Sequence, residues 1–430
     1  MTEDFLHYLW HHRLFYPSGL VTVNGSEPVE VLHPGWPNHH AGPDFFNSRI
    51  RIGTTTWAGN VEIHLHSSDW FRHGHDLDPS YNNVVLHVVA HHDGEPVLDS
   101  SKRMIPELVL SFPDNILQQY DALIHHTGVV KCLEHVGRVG RLDWQGWLDR
   151  MLCERMEQRA DHIFTLLEEF NSDWDQVFFV LLARSMGFGV NGDPFEMLAR
   201  NLPVKVVLRH ASDLLQLEAL LFGQAGFLNQ MVGDESYPTL LQREYNLLRH
   251  KYGLKPMEVS LWKFLRLRPV NFPTIRLAQL AAILYKNSGN FESWVKLSSI
   301  GSLMERLDVA ASGYWKSHFM FNRSAKSDVR SHLGKNSREL IIANAMIPFI
   351  FTMALRRGQT EIQTGALKLL SQLPVEHNNI LDHWKRVGVV PENEGEAQAL
   401  IHLVQNYCTR SKCLHCRIGH LIINGTATNS

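Results

Sequence analysis

Hydrophobic positions in the first 15 residues fall at helical intervals. Phe5 and Leu9 form one pair, and Leu6, Trp10 and Leu14 form a second row. Residues three or four apart share a helix face, so the spacing predicts an amphipathic helix over 3–15. The period then shortens. In LVTVNGSEPVEVL, Asn24-Gly25 separates two short apolar runs, which is a hairpin signal. FFNSRIRIG and TTWAGNVEIHLH follow as two more strands that turn near Gly53. SSDWFRHGHDLDPSY opens on a helix-start signal, with Asp69-Trp70 and Asp78-Pro79-Ser80-Tyr81 capping and ending a short helix. NVVLHVVA is apolar without interruption, as in a strand covered on both faces, and ELVLSF near 107 is a last short strand.

After a connector at about 115–142 the pattern becomes helical. LDWQGWLDRMLCERMEQRADHIFTLLEEF is one long helix, and helical segments continue almost to the end, punctuated by Gly, Pro and Asn. LLFGQAGFL reads as two tightly packed helix ends, with Gly223 and Gly226 permitting close approach. ELIIANAMIPFIFTMAL reads as a buried central helix kinked at Pro348, not a membrane span. The expected fold class is α+β: a mixed sheet flanked by helices over 1–120, an all-helical domain over 140–407, and a Cys/His cluster over 408–420.

Composition changes little except at one point. The chain has 430 residues, with 41 basic against 44 acidic side chains. That balance excludes a basic coat for tight non-specific nucleic-acid binding and leaves room for a local patch. No run of 18 apolar residues appears, so no membrane span is expected. MTEDFLHYLWHHRLF opens on acids and does not read as a signal peptide. Five cysteines, three of them crowded late, do not make a disulfide scaffold, so the cytoplasm is the expected location. The exception is histidine. Thirteen of the 26 fall within the first 92 residues, so that region needs a chemical explanation.

Strict alternation in NVEIHLH turns Val61, Ile63 and Leu65 one way and Glu62, His64 and His66 the other. Glu62 and His64 lie roughly 6.5–7 Å apart along such a strand, so both can reach one ion or one phosphate. Asp44 stands after Gly42-Pro43 at the start of the preceding strand. If the strands are neighbours, Asp44 and Glu62 converge on a hard cation, Mg²⁺ or Mn²⁺. Zinc is the rival: His64, His66, His73 and His75 offer four imidazoles. The plainer alternative is that His73 and His75 line a cleft or face solvent. His87, inside an apolar run, reads as a core histidine with a hydrogen-bond partner.

Two further constellations stand apart. Cys408-x4-Cys413-x2-Cys416-x3-His420 matches tetrahedral zinc ligation in ligand type. An iron–sulfur cluster is the alternative, with Cys132 or Cys153 as fourth thiolate, and free thiols are the third reading. In either metal reading the role expected is to clamp the chain end. WKFLRLRPVNFPTIRLAQLA interleaves Lys263, Arg266, Arg268 and Arg276 with aromatic residues, a candidate contact to a DNA or RNA backbone. Arginines bridging helices explain it equally well.

Pro43-Asp44, then a hairpin, then Glu62-Ile63-His64 resembles the PD-(D/E)xK nuclease motif, whose core runs helix, three strands, helix, strand. The resemblance implies a metal-dependent phosphodiesterase acting on nucleic acid. Asp44 and Glu62 would hold the ion, and Glu3 would match an extra acid found in some members. His64 departs from the pattern, standing where a lysine that orients water is expected. Two outcomes stay open: imidazole acting as base or ligand, or a retained fold serving as an inactive binding or scaffold protein. A zinc hydrolase using the histidines is the third. Some of these nucleases carry an iron–sulfur cluster on three late cysteines and one that precedes the core; here none precedes it. GPDFFNSRI, GNVEIHLHSSDW, HGHDLDPSYNNVVLHVV, LLFGQAGFL, RLRPVNFPTIR and the terminal cysteines are similar to the bacterial domain of unknown function 2851 family, which implies no activity.

Overall fold

Thr2 starts the first helix, its hydroxyl accepting the Phe5 N–H at 3.3 Å. Helix α1 (Glu3–His12) has acids in its first turn and histidines in its last, matching the helix dipole. It stops short of the predicted end because Arg13 adopts a left-handed conformation, φ 54°. The structure is a computed structural model and describes residues 1–229, 236–287, 291, 294, 299–325, 329 and 331–425.

The elements that follow are β1 (Val29–His33), β2 (Trp36–Pro37), β3 (Phe45–Ile52), β4 (Thr55–His66), α2 (Asp69–Arg72), β5 (Val84–His91), β6 (Glu107–Val109) and α3 (Asp114–His125). The sheet runs β1-β3-β4-β5-β6, with β2 paired to β3. Its first three strands are antiparallel; β4, β5 and β6 are parallel. The element order is the predicted one apart from β2, which the pattern does not predict, and α3, a helix where it predicts a connector. The hairpin at Asn24-Gly25 is reduced to a bridge between Val21 and Pro28, since Pro28 has no N–H with which to extend a ladder. β5 is buried from Val84 to Ala90, as its unbroken apolar run requires.

Register decides what faces what. Glu62 on β4 lies opposite His87 on β5, and His87 lies opposite Glu107 on β6. Strands sit about 4.8 Å apart, so these three polar residues form one row across the sheet. Both α1 and α2 pack on β4. Phe5 of α1 stacks on Tyr120 of α3, ring centres 4.6 Å apart. Beyond α2, Trp70, Tyr81, Val84, Val97 and Ile105 form a small apolar core.

The described chain is mixed α+β, a mixed sheet followed by a largely helical region. It forms two units. The first comprises Met1–Trp147, Asp382–Val389 and Leu403–Ser430; the second, Leu148–Leu381 and Val390–His402. The late cysteines thus belong to the same unit as the sheet.

The second unit holds α5 (Trp174–Met186), α6 (Phe188–Asn201), α7 (Val204–Arg209), α8 (Leu214–Gln224), α9 (Ser236–Tyr252) and α10 (Pro273–Lys286); the long α4 (Arg141–Glu169) begins in the first unit and continues into it. A Cβ on Gly223 would lie 2.1 Å from the Tyr245 ring, so α8 and α9 meet only because that side chain is missing. Lys335–Arg356 is long and apolar enough to cross a membrane, yet 72% of its apolar window is buried within the protein, as its reading as a central helix requires. Its backbone widens into a π-turn at Ile342–Met346 just before Pro348. Pro348 cannot donate to the Asn344 carbonyl; the half-buried Arg159 guanidinium donates to it instead, at 3.2 Å, and to the Asn344 side chain at 2.9 Å.

Candidate functional site

Two backbone hydrogen bonds lock Asp44 to β4. The Asp44 N–H donates to Glu62 Oε2 at 3.0 Å, and the Ile63 N–H donates to Asp44 Oδ2 at 3.0 Å. The exchange occurs where the β3–β4 register slips between Phe45 and Ser48; Asn47 there has φ 56°, a left-handed conformation that asparagine tolerates. The bulge re-aims the start of β3 and brings both predicted acids together. Glu3 and His7, one turn apart on α1, face the same point. His7 Nε2 lies 3.2 Å from Asp44 Oδ2.

The clustered acids disturb one another. Burial raises the Glu62 carboxyl, and the Asp44 charge raises it further. Burial also raises Glu3, with the charges of Asp44 and Asp69 adding to it against His7 and His73. Partial burial lowers the basicity of His7, but the adjacent Asp44 carboxylate and the charge of Glu3 outweigh this and hold it above the usual histidine value.

Imidazoles close the other side. His75 stacks on Tyr81, ring centres 3.8 Å apart, and its Nε2 lies 3.2 Å from Glu62 Oε1. His64 Nε2 is 3.6 Å from the same oxygen and 3.2 Å from His73 Nδ1. His64, His73 and His75 each present a ring nitrogen within 4.8 Å of the others. His64 and His75 are buried and His73 is exposed, so the cluster opens toward solvent on the His73 side. Desolvation, then the neighbouring His87, His75 and His73, drive His64 far down, to about 2. His64 is therefore neutral.

Behind His64 runs a buried chain. His64 Nδ1 is 2.9 Å from His87 Nε2, and His87 Nδ1 is 3.1 Å from Glu107 Oε2. Burial alone would raise Glu107; hydrogen bonds from His87, Ser67 and His92 reverse this and keep it ionised. Ser67 Oγ donates to Glu107 Oε1 at 2.7 Å, and His92 Nδ1 lies 2.6 Å from that oxygen. A carboxylate only accepts, so the His87 Nδ1–H points at Glu107. Where the remaining His87 Nε2 acts as acceptor, the His64 Nδ1–H donates to it. That leaves His64 Nε2 as a bare lone pair aimed at Glu62, His73 and His75, the arrangement that orients histidine metal ligands.

The other sequence-derived candidates are placed as follows. His66 lies at the exposed end of β4, its ring against His91. Lys263, Arg266 and Arg268 are exposed in the second unit. Arg276 is buried there, donating to Gln279, Asn271 and Ser337 under the Phe188 ring. Cys408, Cys413 and Cys416 are buried in the first unit with Cys132. Cys153 is exposed in the second. His420 turns toward α1, its Nδ1 3.0 Å from Tyr8 Oη.

Sequence reasoning missed His7, Ser67, His92 and Glu107, and gave His87 no part in the site. The Glu3/His7 spacing of four on one helix was a usable signal. For Glu107 none existed, because its meeting with His87 depends on strand register.

Among known families, the one described as "Protein of unknown function (DUF2851)" matches residues 3–379. That span takes in every residue of the histidine and carboxylate cluster. No curated protein and no solved structure matches the chain.

Proposed function

Because the chain belongs to the DUF2851 family, whose description carries no activity, we propose its function from the site: a divalent-metal-dependent hydrolase of phosphodiester bonds. Glu62, His64, His73 and His75 would hold the ion. The observation that carries this reading is the meeting of three imidazole nitrogens within 4.8 Å beside a carboxylate oxygen 3.2 Å from one of them. The fixed His64 tautomer fits it, since a metal needs the lone pair that the Glu107–His87 chain leaves bare.

The donor set shifts the expected ion. Two carboxylates with water suit Mg²⁺, but three imidazoles and one carboxylate suit Zn²⁺ or another first-row ion, Mn²⁺ included. When bound, such an ion supplies Lewis acidity and a water acidic enough to ionise near neutral pH. The chain's own groups then divide the remaining work. Glu62 Oε1, the His64 Nε2 lone pair and His75 would be the ion's buried ligands. His73, exposed, marks the side from which substrate enters. His7 holds a proton at Nε2 against Asp44, where it can pass to a leaving oxygen. A neutral His64 cannot supply the positive charge of a lysine, so His7 is the candidate for that role.

Two features support phosphodiesters over other esters. The order α1, β1, β3, β4, α2, β5, leaving aside the two-residue β2, supports the resemblance to the helix, three strands, helix, strand of the PD-(D/E)xK core, with Asp44 and Glu62 where that motif would have its acids. Lys263, Arg266 and Arg268 expose cationic groups suited to a polyanion.

The test is hydrolysis of bis(p-nitrophenyl) phosphate and of labelled DNA and RNA with Zn²⁺, Mn²⁺ or Mg²⁺. Glu62→Gln and His75→Ala should reduce the metal-dependent rate to background, and His7→Gln should lower it by about 10²–10⁴-fold. Unchanged rates in Glu62→Gln and His75→Ala would overturn the reading. A second reading, a non-catalytic binding protein stabilised by the same metal, is favoured by the burial of Glu62 and His64, 4% and 1% exposed. It expects stability to fall on metal removal, with no turnover at any ion.

A further inference from the structure

In the second unit, Arg159 of α4 reaches the helix Lys335–Arg356. Two of its five N–H groups are used there, by the Asn344 carbonyl at 3.2 Å and the Asn344 side chain at 2.9 Å. Both acceptors are neutral, and among the described residues no carboxylate pairs with this guanidinium. Other arginines of the same unit are matched: Arg184 pairs with Asp193 and Glu196, and Arg200 with Glu196 and Glu169. A half-buried charge without a counter-charge loses hydration and gains little in return.

Arg159 lines a cavity of about 350 Å³ with Arg184, Ser185, Phe188, Asn344 and Glu376. All of them belong to the second unit. Glu376 is the complement of Arg159. Its backbone N–H donates to the Glu394 carboxylate at 2.7 Å. Its own half-buried carboxylate has no hydrogen bond and no ion pair among the described residues. The cavity thus holds an unmatched cation and an unmatched anion that do not pair with each other.

The backbone around the cavity is held in uncommon shapes. Phe188, where α5 meets α6, has φ 49°, a left-handed conformation that a bulky residue rarely adopts. Asn344 sits in the π-turn Ile342–Met346, a local widening that recurs at functional sites. Such conformations persist where the surroundings enforce them, and they gather at ligand sites. The Arg276 guanidinium lies 4.5 Å from the centre of the Phe188 ring. Arg276 is buried and also has neutral partners, Gln279, Asn271 and Ser337, so a further cation favours negative charge nearby.

We propose that this cavity binds a small zwitterion, an oxyanion (phosphate or carboxylate) joined to an ammonium group. The oxyanion takes the remaining N–H groups of Arg159, and the ammonium donates to the Glu376 carboxylate. The volume falls at the small end of ligand pockets, which span about 300–1,000 Å³. The site lies apart from the histidine cluster and does not depend on its proposed activity.

Isothermal titration of the full-length protein with phosphoethanolamine, glycine, β-alanine and 4-aminobutyrate tests this. Saturable binding at one site per chain is expected for phosphoethanolamine if the oxyanion is a phosphate, and for one of the amino acids if it is a carboxylate. Ethyl phosphate and propionate, which lack the ammonium, should bind about tenfold more weakly or worse. Arg159→Gln and Glu376→Gln should each raise Kd about tenfold or more. The Glu376 carboxylate holds nothing in place, so its variant decides the matter if Arg159→Gln does not fold. Glu62→Gln, in the histidine cluster, should leave Kd unchanged. Absence of saturable binding by every probe would overturn the inference. So would an unchanged Kd in either cavity variant, or binding lost in Glu62→Gln.

Discussion

A lysine at position 64 would bring its own charge into the cluster. The histidine there is instead governed by what stands behind it: Glu107 orients His87, and His87 orients His64. Glu107→Gln keeps the shape and removes the charge that fixes both tautomers. It should weaken divalent-metal binding by about 10–100-fold, the usual effect of losing an outer-sphere partner. Isothermal titration with Zn²⁺ and Mn²⁺ measures this, and equal affinity in the variant would dissociate the chain from the site. A second buried acid acts on stability alone. Burial in α8 pushes Glu218 up to about 7, against a hydrogen bond from the Tyr237 hydroxyl at 2.8 Å. The folded protein therefore keeps a proton that the unfolded chain releases. Its contribution is fully present below about pH 4.5 and is lost as pH rises toward 7. Glu218→Gln should flatten that decline and stabilise the protein by about 1–3 kcal/mol at pH 8, with little change at pH 4.5. Urea denaturation at the two pH values reads the difference.

Glycines separate local from tertiary demands at the scale of the element. In a bare helix Gly→Ala gains about 1 kcal/mol. At Gly365, in the helix Thr360–Leu370, an added Cβ meets nothing among the described residues within 4 Å, so Gly365→Ala should stabilise by about 0.5–1 kcal/mol. At Gly223 the same methyl strikes a Tyr245 ring that is itself 1% exposed and cannot step aside. Gly223→Ala should therefore cost about 1–3 kcal/mol or more. Thermal denaturation of both variants tests the contrast. Elements were also what the sequence showed best. The period-two run of β4 and the unbroken apolar run of β5 were legible because each strand's burial is written in its own residues. Asp44 with Glu62, and His64 with Glu62, were legible because a hairpin and a strand face are local. The place of Glu107 was not, since three parallel strands can pair in several registers and only the folded sheet selects one. Cys132 was one of two candidate partners for the late cysteines, because nothing within 275 residues of intervening chain fixes where either lands. For Arg276 the sequence left two readings open, a nucleic-acid contact or a helix-bridging arginine, and the Phe188 ring with three polar partners holds it inside.

For the whole molecule, the first unit is discontinuous. Its C-terminal portion contributes the buried side chains Ile418, Leu421 and Ile423 and the His420–Tyr8 hydrogen bond. Removing buried Ile or Leu side chains costs about 2–5 kcal/mol each, so losing three rivals a domain's net stability of about 5–15 kcal/mol. A chain ending at His402 should therefore lose protection in β3–β6 by hydrogen exchange while α5, α8 and α10 keep theirs. Equal protection of the sheet in both chains would show that it stands without the last segment.

The same discontinuity sets an order of events on the ribosome. Synthesis passes Trp147 and must add 269 residues before Cys416 emerges, roughly 13–54 s at about 5–20 residues per second. Throughout that interval the sheet waits without its final helix, while the second unit, nearly continuous in the chain, has most of its residues in hand. The nascent protein is thus expected to mature from its middle outward, and a chaperone that shields the unfinished N-terminal sheet would find its client there.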